Sequence, residues 1–106
     1  MPGPRKTRLD PLVADISIVL SRKVSCLKAK VERATLIPIL RDLDRDIRDK
    51  RALLQLLRWQ CRGGNRESCS NAASENRKLA GLISRREAMS KRLAALERTI
   101  ARDCGR

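Results

Sequence analysis

The four cysteines of this chain are placed symmetrically about Asn65, and their placement constrains the fold more than any other feature. Cys26 and Cys61 are 35 residues apart, and the same distance separates the other two cysteines. Thirty-five residues make five heptads, so both cysteines of such a pair share one face of a coiled-coil helix. A helical hairpin that turns at Asn65 therefore brings Cys61 close to Cys69. The same hairpin brings Cys26 close to Cys104.

Three chemical interpretations of these cysteines stay open. As the disulfides Cys61–Cys69 and Cys26–Cys104 they would staple the hairpin, each contributing about 2–4 kcal/mol. A metal or redox site is disfavoured, because the inner spacing is long for structural zinc and the chain has no His. Reduced cysteines could also serve as small apolar side chains at helix edges. Each interpretation is compatible with the expected proximity.

Aliphatic residues supply most of the apolar part of the chain, because its 106 residues include one Trp and neither Phe nor Tyr. A core of this kind is typical of helices packed along stripes, since sandwiches and barrels concentrate aromatic and β-branched residues. The length allows one domain with a thin core. We therefore predict an all-α fold, an antiparallel helical hairpin or coiled coil with a kinked N-terminal amphipathic helix.

Proline and glycine set the predicted boundaries of the elements. Residues 1–10 are predicted as a basic flexible arm before a single helical domain over 11–106, and the first helix is expected to start at Pro11. Pro38 lacks a backbone donor and disfavours a helical residue before it, so a helix should end or kink near 35–37. Two consecutive glycines suit a helix C-terminus. The predicted helices cover about 11–35, 38–61 and 68–102, with a turn at 62–67.

Two apolar stripes follow the predicted helices. The stripe of the third helix advances in alternating steps of three and four residues, as a coiled-coil seam does. It is too long to stand alone in water, so we expect it to lie along another long helical element, either the preceding helices or a second copy of the chain. Its residues are Leu79, Leu82, Met89, Leu93, Leu96 and Ile100. The first helix is amphipathic with a basic remainder, and its stripe is Val13, Ile16, Val19, Leu20, Val24, Leu27 and Val31.

The charge balance favours anionic partners. Lys and Arg number 25 against 12 Asp and Glu, which gives a formal net charge of +13. Such an excess attracts polyanions, so the DNA or RNA backbone is a candidate ligand, although arginines also simply solvate helices. The scarcity of aromatic residues argues against stacking on single-stranded bases. The candidate polyanion-binding residues are Arg5, Lys6, Arg8, Arg85, Arg86, Lys91 and Arg92.

From Cys69 onward the chain resembles the C-terminal dimerisation helix of MerR-family regulators. KLAGLI and RLAALERTIARDCG are similar to that helix where it runs into the metal-binding loop, and a cysteine stands at each end. The resemblance covers about a third of the chain, and the N-terminal half does not match the family's winged DNA-reading domain. It implies a dimerisation module in which Cys69 and Cys104 are thiolate ligands that bridge two subunits.

Catalysis is disfavoured by the residue inventory. The chain has no His, no carboxylate pair is framed by other catalytic groups, and RGGNRES lacks the lysine of a P-loop. We expect no enzyme, no cofactor and no metal. The expected function is a non-enzymatic helical interaction or assembly (adaptor) protein, which uses a coiled-coil stripe to bind a protein partner or itself as a homodimer. The alternative is a small basic nucleic-acid-binding or MerR-like regulatory protein.

The N-terminal segment does not read as an export signal. Its apolar stretch PLVADISIVL carries Asp15 and soon meets Arg22 and Lys23. No run approaches the roughly 18 apolar residues that cross a bilayer. We therefore expect an intracellular location, in the cytoplasm or with the nucleoid or nucleus, with reduced thiols and no membrane partner.

Overall fold

Two long helices form the described part of the chain. The computed structural model describes the backbone of residues 3–105 and the side chains of residues 15–105. Helix α1 spans Gly3–Arg62 and helix α2 spans Arg66–Asp103, and the described backbone contains no strand. The predicted all-α antiparallel helical hairpin is confirmed. No helix within this range has the length and apolar composition needed to cross a membrane.

Helix α1 is continuous where the sequence predicted an arm and two separate helices. It already includes residues 3–10, while Met1 and Pro2 lie outside the described residues. Pro4 falls in the first turn, where its missing donor has no partner to lose. The first of the two alternatives for 35–37, a helix end, is wrong, because the helix runs through Pro38 to Arg62. The second alternative, a kink, stays a prediction.

Tertiary packing explains why Pro38 does not end α1. Proline deletes one N–H···O bond and crowds the carbonyl of Ala34, but the bonds of neighbouring residues remain available. Buried residues lie on both sides of it, Ala29 before and Leu43 after. Burial at both positions holds the backbone helical, since packing routinely outweighs local propensity.

The turn between the helices depends on one left-handed glycine. Gly64 has a φ of 101°, and its N–H donates to the carbonyl of Cys61 at 3.0 Å. The N–H of Asn65 donates to the carbonyl of Gln60 at 3.2 Å, which completes a Schellman motif at the end of α1. Asn65 then caps α2, because its Oδ1 accepts from the N–H of Ser68 at 3.0 Å. This turn lies within the predicted range 62–67.

The hairpin comprises two compact units. The terminal unit combines Met1–Ala34 with Ala94–Arg106, and the turn unit comprises Thr35–Leu93. The single helical domain predicted over residues 11–106 stays a prediction.

In the terminal unit, segments of α1 and α2 run antiparallel. Cys26 and Cys104 form a disulfide, the terminal disulfide, with their Cα atoms 5.2 Å apart. Farther along, Nη1 of Arg33 lies 3.4 Å from Oε2 of Glu97. Ala29 and Leu96 are the buried apolar residues of this unit among its described side chains.

In the turn unit, the helices are joined by the second disulfide and by two ion pairs. Cys61 and Cys69 form this turn disulfide, with Cα atoms 4.7 Å apart. Lys50 of α1 pairs with Glu75 of α2, and Asp44 of α1 pairs with Arg86 of α2. The apolar core of this unit is the cluster Ile47, Leu54, Ala72 and Leu79, on which Leu57, Leu82 and Ile83 pack.

Gly64→Ala and Gly81→Ala form a matched test of the turn, because a Cβ at either position meets no atom within 4 Å. Alanine at position 64 must adopt the left-handed conformation, so we expect the free energy of unfolding to fall by about 1–2 kcal/mol. Gly81 lies inside α2. Alanine there should raise the free energy of unfolding by about 0.5–1 kcal/mol.

Urea denaturation followed by circular dichroism measures both variants. Changes of the same sign at the two positions would contradict the turn geometry, since the two sites differ in backbone conformation and not in available space.

Candidate functional site

The terminal disulfide is flanked by a hydrogen bond between the residues that precede its cysteines. Ser25 precedes Cys26, and its Oγ donates to Oδ2 of Asp103 at 2.6 Å. Asp103 in turn precedes Cys104. The hydroxyl and the carboxylate therefore tie the two helices together beside the sulfur atoms.

An equivalent hydrogen bond lies beside the turn disulfide. Ser68 precedes Cys69, and its Oγ donates to Oε1 of Gln60 at 2.8 Å. Gln60 precedes Cys61. Ser68 is buried, so this bond satisfies a hydroxyl that would otherwise lack water.

A buried alanine follows one cysteine of each disulfide by three residues, at Ala29 and at Ala72. Three residues are nearly one helical turn, so the alanine lies beside the cysteine on the same face. Its small side chain permits the short Cα separation that a disulfide requires. The motif Ser-Cys-x-x-Ala at 25–29 and 68–72 is a sequence signal of this arrangement.

Asp103 has the most strongly shifted pKa among the described side chains. Nε of Arg102 donates to its Oδ1 at 2.9 Å, and Ser25 donates to its other oxygen. These two bonds lower the pKa of the carboxyl from 3.8 to about 2, with the Arg102 bond as the largest cause. The side chain is 6% exposed, so the carboxylate depends on these partners in place of water.

The thiolate roles implied by the resemblance to MerR regulators need free sulfur atoms at Cys69 and Cys104. In this structure both sulfurs belong to intrachain disulfides, so neither is a thiolate here. The described residues contain no group of three or more potential metal ligands. The dimeric regulator implied by the resemblance stays a prediction.

The apolar stripe of α2 forms the seam of the hairpin. Leu79 packs in one cluster with Ile47 and Leu54 of α1, and Leu96 is also buried. The remaining stripe residues are half-buried: Leu82, Met89, Leu93 and Ile100. Helix α1 of the same chain therefore occupies part of the surface that the sequence assigned to an external partner.

One of the predicted polyanion-binding residues of α2 is engaged within the chain, and the others stay a prediction. Arg86 forms an ion pair with Asp44, which also raises the pKa of the guanidinium group. Arg85, Lys91 and Arg92 are exposed. The predicted residues Arg5, Lys6 and Arg8 lie in α1, but their side chains are outside the described ones.

An exposed apolar face remains on α1 in the terminal unit. We call Ile16, Leu20, Val24 and Leu27 the terminal face, and their exposed fractions range from 49% to 63%. Leu27 lies two residues before the buried Ala29, which is a rotation of about 200° around the helix. The terminal face therefore points away from the seam. The sequence predicted an amphipathic helix with this apolar stripe. It could not predict that α2 leaves the terminal face uncovered, because that depends on how the helices pack.

Lysines border the terminal face. Lys23, Lys28 and Lys30 are exposed, and none of them pairs with a carboxylate of the described residues. Asp15 is the one acidic residue between positions 15 and 31. The face is therefore apolar along its middle and positive along its edges.

Comparison of the chain with protein-family models, curated proteins and solved structures finds no match. The chemistry of these surfaces is therefore what indicates a function.

Asp103→Asn tests the contribution of the Asp103 carboxylate and its bonds to Arg102 and Ser25 beside the terminal disulfide. Because the folded-state pKa is lowered to about 2, the carboxylate stabilises the fold above pH 3.8 and loses this contribution as the pH falls toward 2. We expect the variant to be less stable than the wild type at pH 7. The difference in free energy of unfolding should shrink steadily between pH 4 and 2.

Urea denaturation at a series of pH values gives this difference directly, because the other carboxylates titrate in both proteins. A difference in the free energy of unfolding that stays constant from pH 7 to pH 2 would contradict a lowered pKa of Asp103 in the folded protein.

Proposed function

We propose that the protein is a non-enzymatic helical interaction module that binds an acidic amphipathic helix of another protein on its terminal face. The observation that carries the proposal is the row of exposed aliphatic side chains on the side of α1 opposite the seam. Contiguous exposed apolar surface in a soluble environment usually marks an interaction site.

Covering the terminal face contributes a substantial favourable free energy, because it removes apolar side chains from water. Complete burial of a fully exposed Leu, Ile or Val contributes about 1.5–3 kcal/mol, and each residue of the terminal face, which is already partly covered by its own helix, can gain roughly half of that. Two of the four residues are Leu20 and Leu27, whose exposed fractions are 56% and 63%. A helix laid along α1 could cover the whole row, because these residues recur every three or four positions.

Charge selects among the possible occupants. A helix with Glu or Asp beside its apolar stripe would place carboxylates against Lys23, Lys28 and Lys30, which is electrostatically favourable. A second copy of this face would bring lysines against lysines. We therefore favour a different, acidic partner, and the homodimer expected from the sequence stays a prediction.

Designed peptides test the terminal face. The probe is a fluorescein-labelled helical peptide of about six turns with Leu along its stripe and Glu beside it, and its comparison peptide carries Lys in place of Glu. We expect the Glu peptide to bind and the Lys peptide to bind far more weakly, as measured by fluorescence anisotropy.

Leu20→Glu and Ile18→Glu are matched variants for this assay. The two side chains are 56% and 51% exposed, but they point to opposite sides of α1, since two residues correspond to a rotation of about 200°. Leu20→Glu should weaken binding about 10-fold or more, and Ile18→Glu should leave it nearly unchanged. Equal losses in both variants, or concentration-dependent self-association without peptide binding, would contradict the proposal.

A second candidate function is binding to the phosphate backbone of nucleic acid. It is favoured by the net charge of +13 and by Arg85 and Arg92, which are exposed and seven residues apart on one side of α2. Backbone binding weakens steeply with salt, because it depends on counterion release. Titration with mixed-sequence DNA and RNA at rising salt decides it: no affinity at low salt eliminates this function.

A further inference from the structure

The seam of the turn unit repeats every seven residues. On α1, Ile47 and Leu54 belong to the core cluster and Cys61 to the turn disulfide. On α2, the buried Ala72 and Leu79 are also seven residues apart. Within this unit, side chains that are seven residues apart therefore lie on the same side of their helix.

Arginines of α1 gather on one side of this unit. Arg48 and Arg51 line one groove with Glu87 of α2, so all three lie on the same side of the hairpin. Arg58 follows Arg51 by seven residues, so it lies on this side too. Arg62 follows Arg48 by fourteen residues and occupies this side as well.

Helix α2 adds Arg66 to the same side. Arg66 precedes Glu87 by 21 residues, which are three repeats. Ala73 and Ala80 stand between them at the same interval, and both are exposed. These small side chains leave the neighbouring arginines accessible. We call Arg51, Arg58, Arg62 and Arg66 the arginine side.

Other aspartates of α1 point away from the arginine side. Asp49 precedes Arg51 by two residues, which is a rotation of about 200° around the helix. Asp46 precedes Arg48 by the same interval. The sequence reads as a mixture of charges here, but the helix separates its arginines from these two aspartates.

The guanidinium groups of the arginine side are available to a ligand. All four arginines are exposed, and none forms an ion pair with a described residue. Asp44 precedes Arg51 by seven residues and lies on this side, but its carboxylate pairs with Arg86. Glu87 lines the groove at the end of the row farthest from the turn. The row is therefore positively charged toward the turn.

A row of this kind fits the phosphate backbone of a nucleic-acid duplex. Guanidinium groups bind phosphate oxygens in bidentate geometry. Eleven residues separate Arg51 from Arg62, which is about 16 Å along the helix. Over that length a duplex presents about ten negative charges, at one per roughly 1.7 Å of its axis. Several phosphates therefore lie within reach of the row at once.

The arginine side offers no broad apolar surface. Exposed positions among its arginines carry Gln55, Asn76, Ala73 and Ala80. A partner helix binds by burying an apolar stripe, and a peripheral helix binds a bilayer by inserting one, so neither matches this side. Single strands need aromatic rings on which bases stack, and Trp59 is the chain's one aromatic residue. These comparisons favour a duplex.

We propose that the arginine side is a docking surface for the phosphate backbone of duplex nucleic acid, which it binds without reading the base sequence. The proposal rests on the second candidate function and assigns it to a surface that includes neither Arg85 nor Arg92. It is independent of the terminal face.

Salt dependence measures how many phosphates the surface contacts. The probes are fluorescein-labelled duplexes of mixed-sequence DNA and of mixed-sequence RNA, followed by anisotropy at a series of salt concentrations. If each of the four arginines neutralises one phosphate, the logarithm of the association constant for DNA should fall with the logarithm of salt at a slope of about −3.6. Saturable binding of either duplex supports the proposal, and the duplex that binds identifies the source of the phosphates.

Arg58→Gln and Arg77→Gln are matched variants, since each removes one charge from an exposed arginine without an ion pair among the described residues. Arg77 precedes the buried Leu79 by two residues, so it points away from the seam. Arg58→Gln should make the slope shallower by about 0.9 and weaken binding to unrelated sequences by the same factor. Arg77→Gln should leave the slope nearly unchanged.

An unchanged slope in Arg58→Gln, or equal changes in the two variants, would overturn the inference. Arg85→Gln separates this failure from that of the second candidate function. A shallower slope in Arg85→Gln with an unchanged slope in Arg58→Gln would leave nucleic-acid binding standing at another surface. Absence of affinity for both duplexes at low salt would overturn both. Anionic phospholipid vesicles or a polyglutamate peptide that bind when neither duplex does would assign the arginine side to another class of polyanion and would also overturn the inference.

Discussion

The antiparallel closure of α1 on α2 by two disulfides is the constraint on which the rest of the structure depends. Cα separations of 5.2 and 4.7 Å bring the helix backbones close together, and small side chains suit the buried positions one turn after Cys26 and Cys69. Ala29 and Ala72 occupy these positions. Larger residues such as Ile47, Leu54 and Leu79 fill the seam of the turn unit, where the core cluster lies. The covalent closure and the distribution of side-chain size along the seam are thus consistent with each other.

Closure of the hairpin also decides which apolar residues remain outside. Helix α1 carries apolar side chains on two opposite faces, and α2 covers one of them. The terminal face remains on the uncovered side of α1 in its unit. It is bordered by lysines without ion-pair partners among the described side chains, while basic residues at the seam, such as Arg33 and Lys50, are paired. The unpaired basic residues give the exposed apolar surface positively charged edges, which attract acidic partners.

The sequence was sufficient for the pairing of the cysteines, because helical periodicity converts a spacing of 35 residues into a shared face. The same symmetry about Asn65 makes positions 33 and 97 mirror positions, and the structure contains the contact of Arg33 with Glu97. The mirror positions of Leu43 and Leu54 carry the polar residues Glu87 and Asn76, yet both leucines are buried. Helical side chains lean toward the N-terminus, so contacts across an antiparallel pair are offset from simple mirror positions, as in Lys50 with Glu75.

Other features could not be derived from local patterns. Pro38 predicted an end or a kink of the helix. It removes one hydrogen bond and crowds one carbonyl, whereas the packing that offsets this cost depends on residues far away in the sequence. The oxidation state of the cysteines was left open because an intracellular location favours thiols, and that location stays a prediction. The α2 stripe was assigned to a partner because periodicity identifies an apolar face without identifying what covers it. Trp59 was not among the predicted site residues, because helical periodicity does not show whether its side chain is covered.

Disulfide mapping tests the closure of the hairpin most directly. The protein is alkylated to block free thiols, digested without reduction, and its cross-linked peptides are identified by mass spectrometry. The structure predicts two intrachain links, Cys26 with Cys104 and Cys61 with Cys69. A link between Cys26 and Cys69, or bridges that form only between chains, would contradict the hairpin and every surface assigned on it.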